Sequence, residues 1–305
     1  MARTKFIVWR ISDGKRGHDN QSLGLTEALE KCVPIATYTL PAQPALRALA
    51  YWLAGSFPPA QGLPDPDLLL SAGHATHLTL LAARRARGGR AVVLMKPSLP
   101  LRLFDLCIIP QHDAVAPSGR VLVTRGALNR IRPADEKDTR RGLILLGGPS
   151  RHYAWLDESV LEQVRAIAEC EHEIYWCIAT SRRTPHSTLD RLCELTLDNV
   201  EVVAQQDTDA EWLPEKLARA TQVWVTEDSA SMLYEALTAN AATGALSVPA
   251  KGESRIARGV AALARDGLVT RFADWQYGSA LAPPAQPFNE AARAAAWISE
   301  RWLKN

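Results

Sequence analysis

Residues 6–24 read FIVWRISDGKRGHDNQSLG. A short β-branched and aromatic run ends near Ile11. The chain then passes at once into three glycines, two cationic side chains, a histidine and two amides. A structural turn needs one glycine and an Asn or Asp, so the stretch carries far more polar groups than a turn requires. Behind it, LGLTEALEKC (23–32) places Leu23, Leu25, Ala28, Leu29 and Cys32 at helical spacing. A buried strand, a polar glycine loop and a helix in that order predict an α/β fold. Its ligand side would be the carboxyl end of the strand, where helix amides and dipole favour an anion.

The same alternation continues outward. IATYTL (35–40), DLLLSAG (67–73), RAVVLMK (90–96), FDLCIIPQ (104–111) and RVLVTRG (120–126) are apolar throughout, and HLTLLAARRARGG (77–89) reads as a helix ended by glycines. Strands apolar on both faces indicate a parallel sheet covered on both sides. IRPADEKDTRRG (131–142) interrupts with proline and dense charge and reads as a linker. A second series follows from LILLGG (143–148) through EIYWCIAT (173–180), VEVVAQ (200–205), QVWVT (222–226) and GALSVP (244–249), again with helices between. The expected architecture is two doubly wound parallel-sheet domains, 1–134 and 141–285, with a cleft between them. A closing helix within 286–305, opened by Pro287 or Asn289, is expected to pack back on the first domain.

The chain has 305 residues, enough for two cores of about 130–150 residues each. Its formal charge of +2 argues against a nucleic-acid protein held by bulk charge. The five cysteines (Cys32, Cys107, Cys170, Cys177, Cys193) form no CxxC pair and read as reduced core residues rather than a disulfide or zinc framework. No apolar run reaches the roughly 18 residues that span a bilayer, and no signal-peptide pattern opens the chain. A cytoplasmic location, peripheral to the inner membrane, is therefore expected. The run LRALAYWLAGSFPP (46–59) is apolar enough to dock on a membrane or lipid acceptor, though a helix packed in the core is the ordinary alternative.

Four loops carry candidate chemistry. In the first, His18 is a candidate general base, since an imidazole can take a proton near neutral pH. The alternative is a local hydrogen bond, with Asn20 capping the helix. In VTEDSASMLYEAL (225–237), Asp228, Ser229 and Ser231 stand at a helix start after a strand, and Glu235 follows further in. Amides of Ser229, Ala230 and Ser231 would hold a diphosphate and Glu235 a ribose, with simple capping by Asp228 or Ser229 as the alternative. In ATSRRTP (179–185), Arg182 and Arg183 beside Ser181 suit a diphosphate, or form a solvated basic turn. In LGGPSRHY (146–153), Gly147 and Gly148 let backbone approach a ligand or permit a tight turn, and Arg151 and His152 are weaker candidates. His74, His77, His112 and Asp113 also end strands but lack the spacing of a metal set, and no metal is expected.

Six stretches taken together, DGKRGHDNQSLG, LLLSAGHATH, KPSLPLRLFDLCIIPQHD, LGGPSRHYAW, TSRRTP and TEDSASMLYEA, resemble the "elongated mitochondria" mitochondrial-fission family along almost the whole chain and in the same order. The resemblance implies a GT-B fold, two facing Rossmann-like domains and a glycosyltransferase; metal independence is expected because arginine and helix dipole can neutralise the charge on the leaving diphosphate. The enzyme's co-substrate would be a nucleotide-diphosphate sugar, with no separate cofactor, and its acceptor a saccharide or lipid-linked molecule. Gly17 and His18 stand where the peptidoglycan N-acetylglucosaminyltransferase has a Gly-His after its first strand. TEDSASMLYEA is similar to the TDSGG…EEA pattern of UDP-N-acetylglucosamine 2-epimerases, with Ala230 and Ser231 in place of the two glycines. That likeness implies a phosphate contact at Ser229 and a ribose contact at Glu235, with Glu227 and Asp228 in the same loop. Catalysis would fall to His18, or to Asp13 as its substitute. A sugar-nucleotide epimerase or hydrolase, and a non-enzymatic adaptor, are the alternatives.

Overall fold

A computed structural model of the chain describes residues 5–134, 136–277 and 279–304. The opening residues 1–4, and Asp135 within the expected linker, lie outside them. The chain divides into two compact units, one made of Met1–Arg130 with Glu290–Asn305 and the other of Ile131–Asn289.

In the first unit, β1 (Phe6–Ser12), α1 (Arg16–Glu30), β2 (Ile35–Pro41), α2 (Ala45–Ala54), β3 (Leu68–Ala72), α3 (His77–Arg87), β4 (Arg90–Leu94), β5 (Leu106–Pro110) and β6 (Val121–Thr124) follow one another. The strands form one sheet in the order β2-β1-β3-β4-β5-β6, every pair parallel. Because side chains alternate across a strand, Val8, Leu68, Leu70 and Val92 join one core with Leu25 and Leu29 of α1. Trp9, Leu69 and Val93 join another on the opposite face with Leu80 and Ala83 of α3.

The second unit repeats the plan. It comprises β7 (Asp138–Leu145), α4 (Asp157–Cys170), β8 (Tyr175–Ala179), α5 (His186–Cys193), β9 (Val200–Val203), α6 (Trp212–Arg219), β10 (Ala220–Thr226), α7 (Ala230–Thr238), β11 (Ala242–Leu246), α8 (Arg255–Arg265) and a two-residue β12 (Thr270–Arg271). The sheet order is β12-β11-β10-β7-β8-β9, again parallel throughout. The last helix of the chain, α9 (Glu290–Ile298), belongs to the first unit. Its Ala291, Ala294, Ala295 and Ile298, with Leu303 beyond it, complete the core beneath α1.

Several local expectations are revised. The polar stretch is open loop only at residues 13–15, and α1 begins at Arg16 with Lys15 as its N-cap, so Asn20 is not the cap. The stretch expected to be linker already contains the start of β7 at Asp138. Its Lys137 ammonium donates to the carbonyls of Leu217 (3.0 Å) and Ala220 (2.9 Å), and burial pulls that amine down to about 8. Lys137 therefore anchors backbone, while Arg132, Glu136, Asp138, Arg140 and Arg141 of the same segment are exposed. Helix α2 buries Ala48 and packs Tyr51 against the core, but turns its other large side chains, Leu46, Leu49, Trp52 and Leu53, outward. Cys107 and Cys177 are buried, but Cys170 and Cys193 are exposed at the last residues of α4 and α5, and all five thiols are free.

Two outcomes follow from this packing. Ile298→Ala should remove about 2–5 kcal/mol from the first unit, seen in denaturant titration as a lower midpoint. His77, on α3, is buried with its ring 5.5 Å edge-on to Phe104. Burial first, and then the charge of His74, lower its imidazole to about 4. The unfolded chain therefore takes up a proton that the folded chain refuses. Stability should fall by about 3 kcal/mol as pH drops from the ordinary histidine range through about 4, and His77→Gln should flatten that limb in acid-titration calorimetry.

Candidate functional site

In a doubly wound sheet the chain leaves two adjacent strands toward opposite faces, and a crevice opens at their carboxyl ends. In the first unit these strands are β1 and β3. The loop after β1 carries Asp13 and leads into α1, whose first turn holds His18. Nδ1 of His18 lies 2.9 Å from Oδ2 and 3.1 Å from Oδ1 of Asp13. The loop after β3 supplies Gly73 at φ +84°, and a Cβ there would stand 2.2 Å from His18 Cε1. The imidazole is thus wedged between a carboxylate and a bare glycine backbone. Burial works to raise the Asp13 carboxyl, but hydrogen bonds from His18 and the Lys15 amide, with the charges of both residues, hold it below its ordinary value. An ionised Asp13 accepts from Nδ1 and leaves Nε2 outside the pair.

The rest of the polar surplus is structural. Arg10 on β1 is buried, and its guanidinium donates to Asp19 (2.6 Å), Ser22 (3.2 Å) and Thr39 (3.1 Å). Gln21 donates to the Gly17 carbonyl and to Met95 Sδ, each at 3.4 Å. Met95, directly after β4, has φ +67°, a backbone cost that tends to collect beside working sites.

In the second unit the diverging strands are β7 and β10. The Gly147 amide donates to Thr226 Oγ1 (2.7 Å) and the Gly148 amide to Asp228 Oδ2 (3.0 Å). These amides are therefore engaged by the protein itself. The Asp228 side chain, 0% exposed, fills the space a Cβ at Gly147 would need, since its Oδ2 lies 2.2 Å from that position. Its Oδ2 also meets Arg183 Nη1 at 2.7 Å, and Arg183 donates to the Gly148 carbonyl. Ser181 and Thr184 donate to the Gly147 carbonyl at 2.8 and 2.6 Å. Gly147, Gly148, Ser181, Arg183 and Asp228 form one knot, while Arg182 is exposed beside it.

Helix α7 starts from this knot. Its N-cap Ser229 makes no side-chain capping bond, which removes the simple capping alternative at that residue. The Ser229 amide, however, donates to the Thr226 carbonyl and is therefore engaged by the protein itself. Glu235 is half-buried one turn beyond Ser231. Glu227 is raised above its ordinary value by burial, against the pull of the Arg271 charge and the Val248 amide. Its carboxylate stands 3.6 Å from Arg271 Nε.

Sequence reasoning passed over Tyr153. It is buried, and burial together with the charges of Glu227 and Asp228 pushes its phenol up to about 12, so it stays a hydrogen-bond donor. Its one signal in the sequence is its place within LGGPSRHYAW. Arg151 and His152 instead bond each other at the surface (2.7 Å). No group of three or more His, Cys, Asp or Glu side chains among the described residues is placed to hold a metal ion. The chain contains two Asp-x-Asp pairs, a spacing able to chelate a divalent cation, and both have structural work. Asp65 pairs with Arg87 and Asp67 accepts from the Ile7 amide, while Asp209 accepts from the amides of Glu211 and Trp212.

Solved structures resemble the whole chain. A protein from Listeria monocytogenes assigned as a UDP-N-acetylglucosamine 2-epimerase is 13% identical, with 99% of this chain and 98% of that one covered at a TM-score of 0.64. The UDP-GlcNAc 2-epimerase of Methanocaldococcus jannaschii is 11% identical, with 97% and 99% covered and a TM-score of 0.55. The enzyme of Neisseria meningitidis, solved bound to UDP-GlcNAc, is 13% identical, with 99% and 100% covered and a TM-score of 0.53. At such identities the likeness establishes the fold, the GT-B type built from two Rossmann-like units. A search of curated proteins finds no match. The family described as "Mitochondrial fission ELM1" matches residues 16–302, and the chain belongs to that family.

Proposed function

We propose that the protein is a glycosyltransferase that moves a sugar from a nucleotide-diphosphate sugar to an acceptor hydroxyl. The observation that carries this reading is the Asp13–His18 pair. An oriented imidazole with Nε2 outside the pair is what deprotonation of a hydroxyl requires, and a scaffold has no need of it. His18 takes the acceptor proton at Nε2 as the acceptor oxygen forms its bond to the anomeric carbon. The bond from that carbon to the diphosphate breaks, and the diphosphate leaves with the electron pair.

The second unit would hold the donor. The amides of Ala230 and Ser231, at the positive end of α7, and the exposed guanidinium of Arg182 would meet the charge that grows on the leaving diphosphate. Glu235 would accept the ribose hydroxyls. Arg183 and Asp228 act differently from Arg182: bound to each other, they keep the Gly147–Gly148 loop and the start of α7 in register. Asp13 is a positioning residue rather than a base.

One sequence observation favours a second reading. TEDSASMLYEA is similar to the nucleotide-binding stretch of UDP-GlcNAc 2-epimerases, so an epimerase or hydrolase acting on the donor alone is the rival. Donor consumed without any acceptor would select it. No nucleotide binding at all would select an adaptor.

His18→Ala should lower transfer about 10²–10⁴-fold and leave UDP binding in calorimetry unchanged, with Asp13→Asn falling between it and the wild type. Gly73→Ala should approach the His18→Ala defect, because the added methyl displaces the ring. Full transfer by His18→Ala would sink the assignment of the base. Arg182→Ala and Glu235→Ala should instead weaken UDP-sugar binding about 10–100-fold each, with the fold intact by circular dichroism.

A further inference from the structure

We propose that the face built from α2, the last turn of α3 and the Leu101–Leu103 turn docks the protein on an anionic phospholipid surface. Helix α2 reads ALRALAYWLA and, apart from Tyr51, which packs on the core, leaves its large side chains exposed. Leu46 is 85% exposed, Leu53 65%, Leu49 42% and Trp52 38%, with Leu103 beside them at 37%. These are five of the eight large hydrophobics exposed among the described residues, all on one face. Leu46, Leu49 and Leu53 recur at helical spacing, so the stripe is continuous. Monomeric soluble proteins rarely leave such a patch uncovered.

Charge complementarity identifies the occupant. Between residues 31 and 105 the chain has eight lysines and arginines against three acids, Asp65, Asp67 and Asp105, although its overall formal charge is only +2. All three acids have partners, in Arg87, the Ile7 amide and Arg84. Beside the stripe lies a groove of about 550 Å³ with Leu81 and Leu99 in its wall, Arg84, Arg85 and Arg102 at its edge, and no acidic residue lining it. Arg84 is paired with Asp105 at 2.9 Å. Arg85 and Arg102 are exposed, as is Arg47 on α2. The Arg85 guanidinium lies 4.6 Å over the Trp52 ring, which supports the tryptophan at the depth where cation and apolar ring meet. Leucine and tryptophan facing out, with unopposed arginines around them, is the pattern of a helix that lies in the plane of a membrane and binds acidic headgroups. No helix among the described residues is long and apolar enough to cross a membrane, so the contact would be peripheral.

Flotation of the full chain with vesicles tests this. Phosphatidylcholine vesicles containing phosphatidylglycerol should carry the protein, pure phosphatidylcholine should carry little, and added salt should release it. Leu46→Ser/Leu53→Ser should lower partitioning at least about tenfold, and Arg85→Glu/Arg102→Glu should do the same. Both variants should keep wild-type thermal unfolding and UDP binding, so failure here is separable from failure of the donor-site reading. Equal binding to neutral vesicles would overturn the charge argument, and no binding to either would overturn the proposal. A concentration-dependent dimer in sedimentation, lost in Leu46→Ser/Leu53→Ser and without vesicle binding, would assign the face to a second copy instead.

Discussion

A parallel sheet covered on both faces forces its chain to change sides somewhere, and at that place two neighbouring strands open like parted fingers. Backbone amides and carbonyls there lose the next strand as a partner. Something polar has to meet them. In the second unit Asp228 does so with one buried carboxylate oxygen, which accepts from Gly148 and faces Arg183, while Thr226 takes the Gly147 amide. In the first unit the Asp13–His18 pair stands at the corresponding opening against Gly73. The same geometrical necessity that defines the fold has therefore placed ionisable groups at its most accessible ends.

Those two openings answer the necessity differently. Around Asp228 the groups face inward and join three loops, so a buried charge there is acceptable only because an arginine and an amide meet it. Around His18 the carboxylate takes one ring nitrogen and leaves the other open. One site is closed and rigid and the other is half finished. A binding platform needs the first property and a proton-transfer site needs the second.

The alternation of strands and helices was legible because it rests on burial, and burial writes itself as uninterrupted apolar runs such as DLLLSAG and FDLCIIPQ. The loops were legible as polar surplus but not in their partners. Nothing in SDGKRGHDNQSLG separates His18, which meets Asp13, from Asp19, which meets Arg10 of β1. Both are polar residues a few positions after a strand, and only the third dimension assigns them. Arg182 and Arg183 are neighbours with the same chemistry, yet one is held by Asp228 and the other faces solvent. Tyr153 was invisible because a buried phenol near two carboxylates looks in sequence like any core aromatic. Helix α2 could be read either way because composition does not say which face is covered: Ala48 and Tyr51 pack inward while Leu46, Leu49, Trp52 and Leu53 are exposed.

The placement of α9 bears on the order in which the chain matures on the ribosome. The first core contains Val8 and Leu25 together with Ile298 and Leu303, residues from opposite ends of the sequence. The stretch between, 131–289, holds its own complete sheet and has every strand it needs once that stretch has emerged from the exit tunnel. The older half must wait with one hydrophobic flank uncovered until the youngest residues arrive. Synthesis order and completion order are thus inverted, and the nascent amino-terminal half is a natural client for a chaperone during that interval.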